Sequence, residues 1–220
     1  MKPKSPFIQT FNKLPEQLPI YTLENALLPG GELPLELSKP DDLALFLSAL
    51  KTDQLIGMVQ PQRNNSEWNF YQIGCAGRIR QYRERKDGRL NLMLTGVCRY
   101  RIVEEVCHNN GYTLARVDWS DYENDYETQS VEPTNIEGFK ETLRNYFDRH
   151  NMQVDWKVLD KLPIEDLVNN LILVINLNID SKQQLLETPT VMQRLGLFSR
   201  LLDEKVDPIL ASIPKNKQVN

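Results

Sequence analysis

Apolar and polar residues alternate through the first half of the chain and recur at helical spacing through the second. The clearest stretch runs from Asp87 to Ile102. Asp87-Gly88 supplies the φ > 0 positions of a tight hairpin. Leu90, Leu92 and Leu94 alternate with Asn91 and Met93, which predicts a strand with one strongly apolar face. Thr95-Gly96 interrupts the run. Beyond it Cys98, Tyr100 and Ile102 share one face, and Val97, Arg99, Arg101 and Val103 the other.

The same reading predicts strands over 20–23, 32–37, 55–60, 71–85 and 112–119. Pro34 places the second at a sheet edge or a bulge. Gly74 and Gly77 predict a bulge or bend in the long strand over 71–85. Leu43, Phe46, Leu47 and Leu50 follow helical spacing, with Asp41 as the expected cap. Residues 1–19 read as a loosely held arm and Arg63 to Trp68 as a polar loop.

At Ser120 the composition changes. Ser120 to Thr134 holds five acidic residues and no Lys or Arg. It reads as a solvated linker; docking onto the basic hairpin is the alternative. Helical patterns follow. Thr134-x-x-Glu137, Ser181-x-x-Gln184 and Thr190-x-x-Gln193 fit capping boxes, and Pro163 suits a first helical turn. Apolar stripes run through Ile136–Phe147, Ile164–Ile175 and Val191–Leu202. The expected organisation is α+β: an arm (1–19), a β-rich domain (20–119), an acidic linker (120–134), a four-helix bundle (135–207) and a polar tail (208–220).

The chain has 220 residues, of which 40% are hydrophobic, enough for a real core. Between Arg78 and Arg101, eight Lys or Arg stand against two Asp or Glu, a local +6; the formal net charge of −4 leaves −10 elsewhere. Three cysteines without framework spacing predict a reducing compartment. The N-terminus lacks the apolar core of a secretory signal. Leu171 to Ile175 is the longest apolar run, far short of the ~20 residues of a membrane span. A soluble cytoplasmic protein is the expectation, with no membrane partner.

Signals for catalysis are missing. There is no phosphate-binding G-x-x-x-x-G-K-[ST] loop, no C-x-x-C and no G-x-S-x-G elbow. Cys98, Cys107 and His108 lack a fourth metal ligand, so no metal or cofactor is expected and the cysteines read as small buried hydrophobes. His108 and His150 read as surface or capping residues. Ser38-Lys39, followed by Pro40, reads as a turn rather than a catalytic pair.

The sharp electrostatic feature is the basic strand region. Arg78 and Arg80 share a face, as do Arg99 and Arg101, with Tyr82 and Tyr100 interleaved. Arg78, Arg80, Arg99, Tyr100 and Arg101 are therefore the candidate partner-binding residues. Three readings stand: a strand face protected by charge from edge aggregation, a surface for polypeptide, or a surface for RNA phosphates and bases. Internal pairing with Glu104 and Glu105 is a further use of the same arginines.

Several of these segments resemble the Lon N-terminal (substrate-binding) domain family. They are Leu18-Pro-Ile-Tyr-Thr-Leu23 with Leu28-Pro29-Gly30, Ile73-Gly-Cys-Ala-Gly-Arg-Ile79, the hairpin Asp87–Ile102, and Lys182-Gln-Gln-Leu-Leu-Glu187 with Arg194-Leu195. The chain departs where the family runs through a Phe-Glu-x-Arg-Tyr-like segment; Leu37-Ser-Lys-Pro-Asp41 stands there instead. The resemblance implies a PUA-like β pseudo-barrel followed by an α-helical bundle. It also implies a stand-alone recognition module without the ATPase and Ser-Lys peptidase modules of full-length Lon. Such a module would be a non-enzymatic adaptor or chaperone-like factor, with polypeptide, a protease or a chaperone as partner. An RNA-binding PUA-like protein and an unrecognised hydrolase are the competing functions.

Overall fold

A computed structural model describes residues 9–62, 70–106, 111–127 and 129–204. Cys107, His108, the loop over 63–68 and the tail over 208–220 lie outside them. The chain divides into two compact units, one of residues 1–129 and 162–188, the other of 130–161 and 189–220.

The first unit is built on six strands: β1 (Gln17–Thr22), β2 (Glu32–Leu37), β3 (Leu55–Val59), β4 (Ile73–Glu84), β5 (Leu90–Val106) and β6 (Thr113–Asp118). They form a sheet in the order β2-β5-β4-β3-β1-β6, and β5 also pairs with β6, closing five strands into a barrel. Length makes this possible. β5 has 17 residues. Leu90–Thr95 pairs with β2, and Arg101–Val106 with β6. All these pairings are antiparallel except β1 with β3, whose connection carries β2 and helix α1 (Pro40–Lys51).

The β4–β5 turn falls where expected, but only Gly88, not Asp87, takes the left-handed φ. Arg85 N–H donates to the Arg89 carbonyl at 2.8 Å, and Gly88 takes φ +82°. Leu90, Leu92 and Leu94 are buried. Past Gly96 both faces of β5 are covered: Val97, Cys98, Arg99 and Tyr100 are all buried.

Tyr100 explains two glycines. A Cβ at Gly57 would come within 2.6 Å of the Tyr100 hydroxyl, and one at Gly74 within 2.3 Å of the Met58 carbonyl and 2.7 Å of that hydroxyl. Gly74 therefore makes room for an aromatic ring. The expected β4 irregularity falls at Ala76/Gly77, with a second between Ile79 and Gln81.

The segment expected as an acidic linker does not behave as one. Ser120–Tyr126 forms a 3-10 segment in which Tyr122, Asp125 and Tyr126 are buried. Nor are residues 9–16 loose. Phe11 packs edge-on against Tyr126, the Tyr126 hydroxyl donates to the Gln9 carbonyl at 3.0 Å, and Trp119 Nε1 donates to the Pro15 carbonyl at 2.8 Å.

The helical half does not cluster as one bundle. Helices α4 (Ile164–Val174) and α5 (Ile179–Glu187) belong to the barrel unit. Their side chains reach barrel backbone: Asn169 Nδ2 donates to the Pro29 carbonyl, and Gln183 Nε2 to the Ile73 carbonyl at 3.0 Å. The second unit holds α2 (Pro133–Arg149), α3 (Trp156–Leu159) and α6 (Val191–Glu204). Phe139, Leu143, Phe147, Leu195, Phe198 and Leu202 are buried there. Lys140 pairs with Asp160 at 3.0 Å.

Three expected caps move. Glu132 occupies the α2 N-cap without a side-chain bond, because Pro133 takes the first helical position ahead of Thr134. Asn178, not Ser181, caps α5 by accepting from Ser181 N–H at 2.7 Å. Likewise Lys39 rather than Asp41 occupies the α1 N-cap. Thr190 does cap α6, accepting from Gln193 N–H at 3.2 Å.

Gly74→Ala forces a methyl group into the Met58 carbonyl and the Tyr100 hydroxyl. It should cost about 3 kcal/mol by overpacking, a fall of roughly 10 °C in Tm for a protein of this size. Calorimetry checks this, with Gly138→Ala, where a Cβ meets nothing within 4 Å, as the control that leaves Tm within a few degrees.

Candidate functional site

The five arginine and tyrosine positions singled out above do not form one exposed surface. Arg99 is 3% exposed. Its side chain meets Asp125 through Nε at 3.0 Å and Nη2 at 2.7 Å. Nη1 donates to the carbonyls of Leu186 at 3.1 Å and Thr188 at 2.8 Å. The backbone N–H of Arg99 also donates to Asp125, and the guanidinium lies 5.2 Å from the Tyr122 ring centre. This is the docking of the acidic segment on the basic strand, and it consumes Arg99 inside the protein. Tyr100 is wholly buried, and burial pushes its phenol well above the ordinary value.

The remaining arginines are at or near the surface, and several are matched by acids. Arg80 is exposed and pairs with Glu32. Arg101 is exposed, with Asp121 at 3.8 Å. Arg85 and Arg89 pair with Glu36 and Asp87. Arg78 is half-buried. Glu104 pairs with Arg116 of β6 rather than with the arginines of its own strand. Four carboxylates from outside the stretch, Glu32 and Glu36 of β2 and Asp121 and Asp125 of the 3-10 segment, thus offset much of the local +6. A phosphate backbone would have to compete with those carboxylates for the same guanidinium groups, which disfavours RNA.

A concave site lies elsewhere in the barrel unit. A pocket of about 560 Å³ opens where the loop after β1, Tyr71 ahead of β4, and the α4–α5 turn converge. Its polar wall holds Glu24, Asn25, Tyr71, Asn176, Asp180 and Lys182. The Tyr71 hydroxyl donates to Asp180 Oδ1 at 2.7 Å. Burial and that carboxylate push the Tyr71 phenol up to about 12, so it remains a donor across the physiological range. Lys182, 8% exposed, donates to Asn25 Oδ1. Beneath the turn, Gln60 Nε2 donates to the Ile179 carbonyl at 3.3 Å. None of the pocket's polar residues was among the candidates. Tyr71 and Asp180 are 109 positions apart, and only the tertiary fold brings them together.

A second groove, of about 730 Å³, runs over the outer ends of β2, β5 and β4, where Pro34, Tyr82, Arg83 and Met93 border it. The β2 edge beside it is poorly suited to accepting another strand. Gly31 O accepts from Gly96 N–H, so strand alternation turns the backbone groups of Glu32, Pro34 and Glu36 outward. Asn170 Oδ1 takes the Glu32 N–H at 3.1 Å, and Pro34 has none to offer.

Comparison with known proteins follows the same outline. The profile of the ATP-dependent protease La (LON) substrate-binding domain matches residues 17–204. Lon protease 2 of Myxococcus xanthus is 29% identical over 209 residues, covering 87% of this chain and 24% of its own length. Lon protease of Dictyoglomus thermophilum is 29% identical over 211 residues, covering 88% of this chain and 25% of its own length. The chain therefore spans about a quarter of the length of these relatives. Among solved structures, the N-terminal domain of Mycobacterium avium complex Lon protease superposes with a TM-score of 0.61 at 18% identity, covering 86% of this chain and all of that one. A Lon N-terminal domain protein from Xanthomonas campestris gives a TM-score of 0.57 at 21% identity, covering 90% and 99%. These two likenesses show the fold: a β-rich part followed by helices, α+β as expected.

Breaking the Arg99–Asp125 pair strands a buried charge. Arg99→Ala and Asp125→Ala should each cost about 3–5 kcal/mol in urea denaturation. The double variant should cost less than the sum, with a coupling of about 2 kcal/mol in the cycle.

Proposed function

This chain belongs to the Lon substrate-binding domain family, and from that premise we propose that it is a polypeptide-recognition module with no chemistry of its own. The match over residues 17–204 carries the reading, because it takes in the barrel, α4, α5 and the second helical unit together. The module holds unfolded segments for a protease or chaperone. The barrel unit offers a polar pocket at the start of α5 and a groove bordered by Tyr82 and Met93. With the β2 edge occupied by Asn170 and Pro34, capture through side chains is favoured over strand addition.

The described thiols suit this reading better than catalysis. Cys75 and Cys98 are both buried. Burial and the Asp125 carboxylate push the Cys98 thiol far up, away from a nucleophilic thiolate. Two buried cysteines without framework spacing also fit a reducing cytoplasm. Among the described residues no helix is long and apolar enough to cross a membrane.

The test is binding of a permanently unfolded polypeptide, reduced and blocked at its cysteines with a neutral amide reagent, against its folded parent. Fluorescence anisotropy without nucleotide should give affinity for the unfolded form at least about tenfold tighter. Excess single-stranded RNA should not compete. Equal affinity for both forms, or none for either, would overturn the reading.

A further inference from the structure

The pocket at the start of α5 holds a carboxylate that its own walls leave half-used. Asp180 is exposed; among the described residues it accepts one hydrogen bond, from Tyr71 at 2.7 Å, and joins no ion pair. The Tyr71 hydroxyl fixes Oδ1, which leaves Oδ2 for a ligand and sets an aromatic ring beside it. Among the described residues, the other charged lining groups are Glu24 and Lys182. Lys182 is buried and held by Asn25 on the wall. The described lining therefore carries two carboxylates against one ammonium. An anion would be repelled, and an apolar side chain would desolvate Asp180 without replacing its hydration.

We propose that this pocket accepts an arginine side chain of a bound polypeptide, its guanidinium against Asp180 and the Tyr71 ring. The inference rests on the polypeptide-recognition reading and names what that site selects. Arginine fits better than lysine for two reasons. Its planar fork donates to a carboxylate whose orientation is already set, and the same plane stacks on a tyrosine ring. At about 560 Å³ the pocket has room for the side chain and part of the adjoining backbone.

Short unstructured fluorescent peptides, identical except for a central arginine, citrulline or lysine, provide the test by anisotropy. The arginine peptide should bind about tenfold or more tightly than the citrulline peptide, and more tightly than the lysine peptide. Asp180→Asn should bring arginine binding down to the citrulline level and leave citrulline binding unchanged. Tyr71→Phe, which keeps the ring and frees the carboxylate, should weaken arginine binding by a smaller factor. Both substitutions lie outside the buried core, and circular dichroism confirms the fold. Equal binding of arginine and citrulline peptides to the unaltered protein would overturn the inference. So would an arginine preference that survives Asp180→Asn. If the unfolded polypeptide binds and the arginine preference is absent, the pocket assignment alone fails; if neither binds, both fail.

Discussion

A guanidinium in the middle of a buried strand needs every donor met, and meeting them organises this barrel unit. Arg99 binds Asp125 on the 3-10 segment and the carbonyls of Leu186 and Thr188 at the end of α5. Removing an arginine and a carboxylate from water costs several kcal/mol each, recovered only by good geometry and full hydrogen bonding. The pair is thus less a source of net stability than a condition on the fold. The acidic segment must lie on β5, and α5 must end beside it, or a charge is left alone. Asp125 and Thr188 also stand close in sequence to Ser130 and Pro189, where the chain passes into the second unit.

Around that condition the barrel closes by economy of length. β5 serves β2 with its first part, β6 with its last and β4 along most of its course. The bulk of Tyr100 is accommodated by Gly57 and Gly74, whose missing side chains let the ring lie against the backbone. The same strand therefore carries a wholly buried tyrosine ring, a buried guanidinium and the closure of the sheet. Substitutions near residues 97–102 should act on folding before they act on any partner.

How much of this was legible depended on distance along the chain. The turn at Asp87-Gly88 and the Leu90–Leu94 alternation are local, and both appear in place, the turn with Gly88 alone in the left-handed region. So is the Thr190 cap. Thr134 and Ser181 misled because Pro133 and Asn178 compete for the same helix starts, and a capping motif does not say which of two adjacent residues wins. Arg99 looked solvent-facing because its neighbours alternate; its partner is 26 residues on and its carbonyl acceptors 87 and 89. The pocket was illegible for the same reason. Asp180 reads as an ordinary first-turn acid, and nothing near Tyr71 announces that the two meet.

The functional account joins a family assignment to one surface of the barrel unit. Internal pairing quiets the basic hairpin, β2 discourages strand addition, and the start of α5 offers a preset carboxylate beside an aromatic ring. Mapping backbone amide chemical shifts while titrating an unfolded polypeptide tests this most directly. Perturbations should centre on Leu23–Asn25, Tyr71 and Asn176–Lys182. Perturbations confined to the hairpin over Arg83–Arg89, with the α5 pocket unmoved, would contradict it.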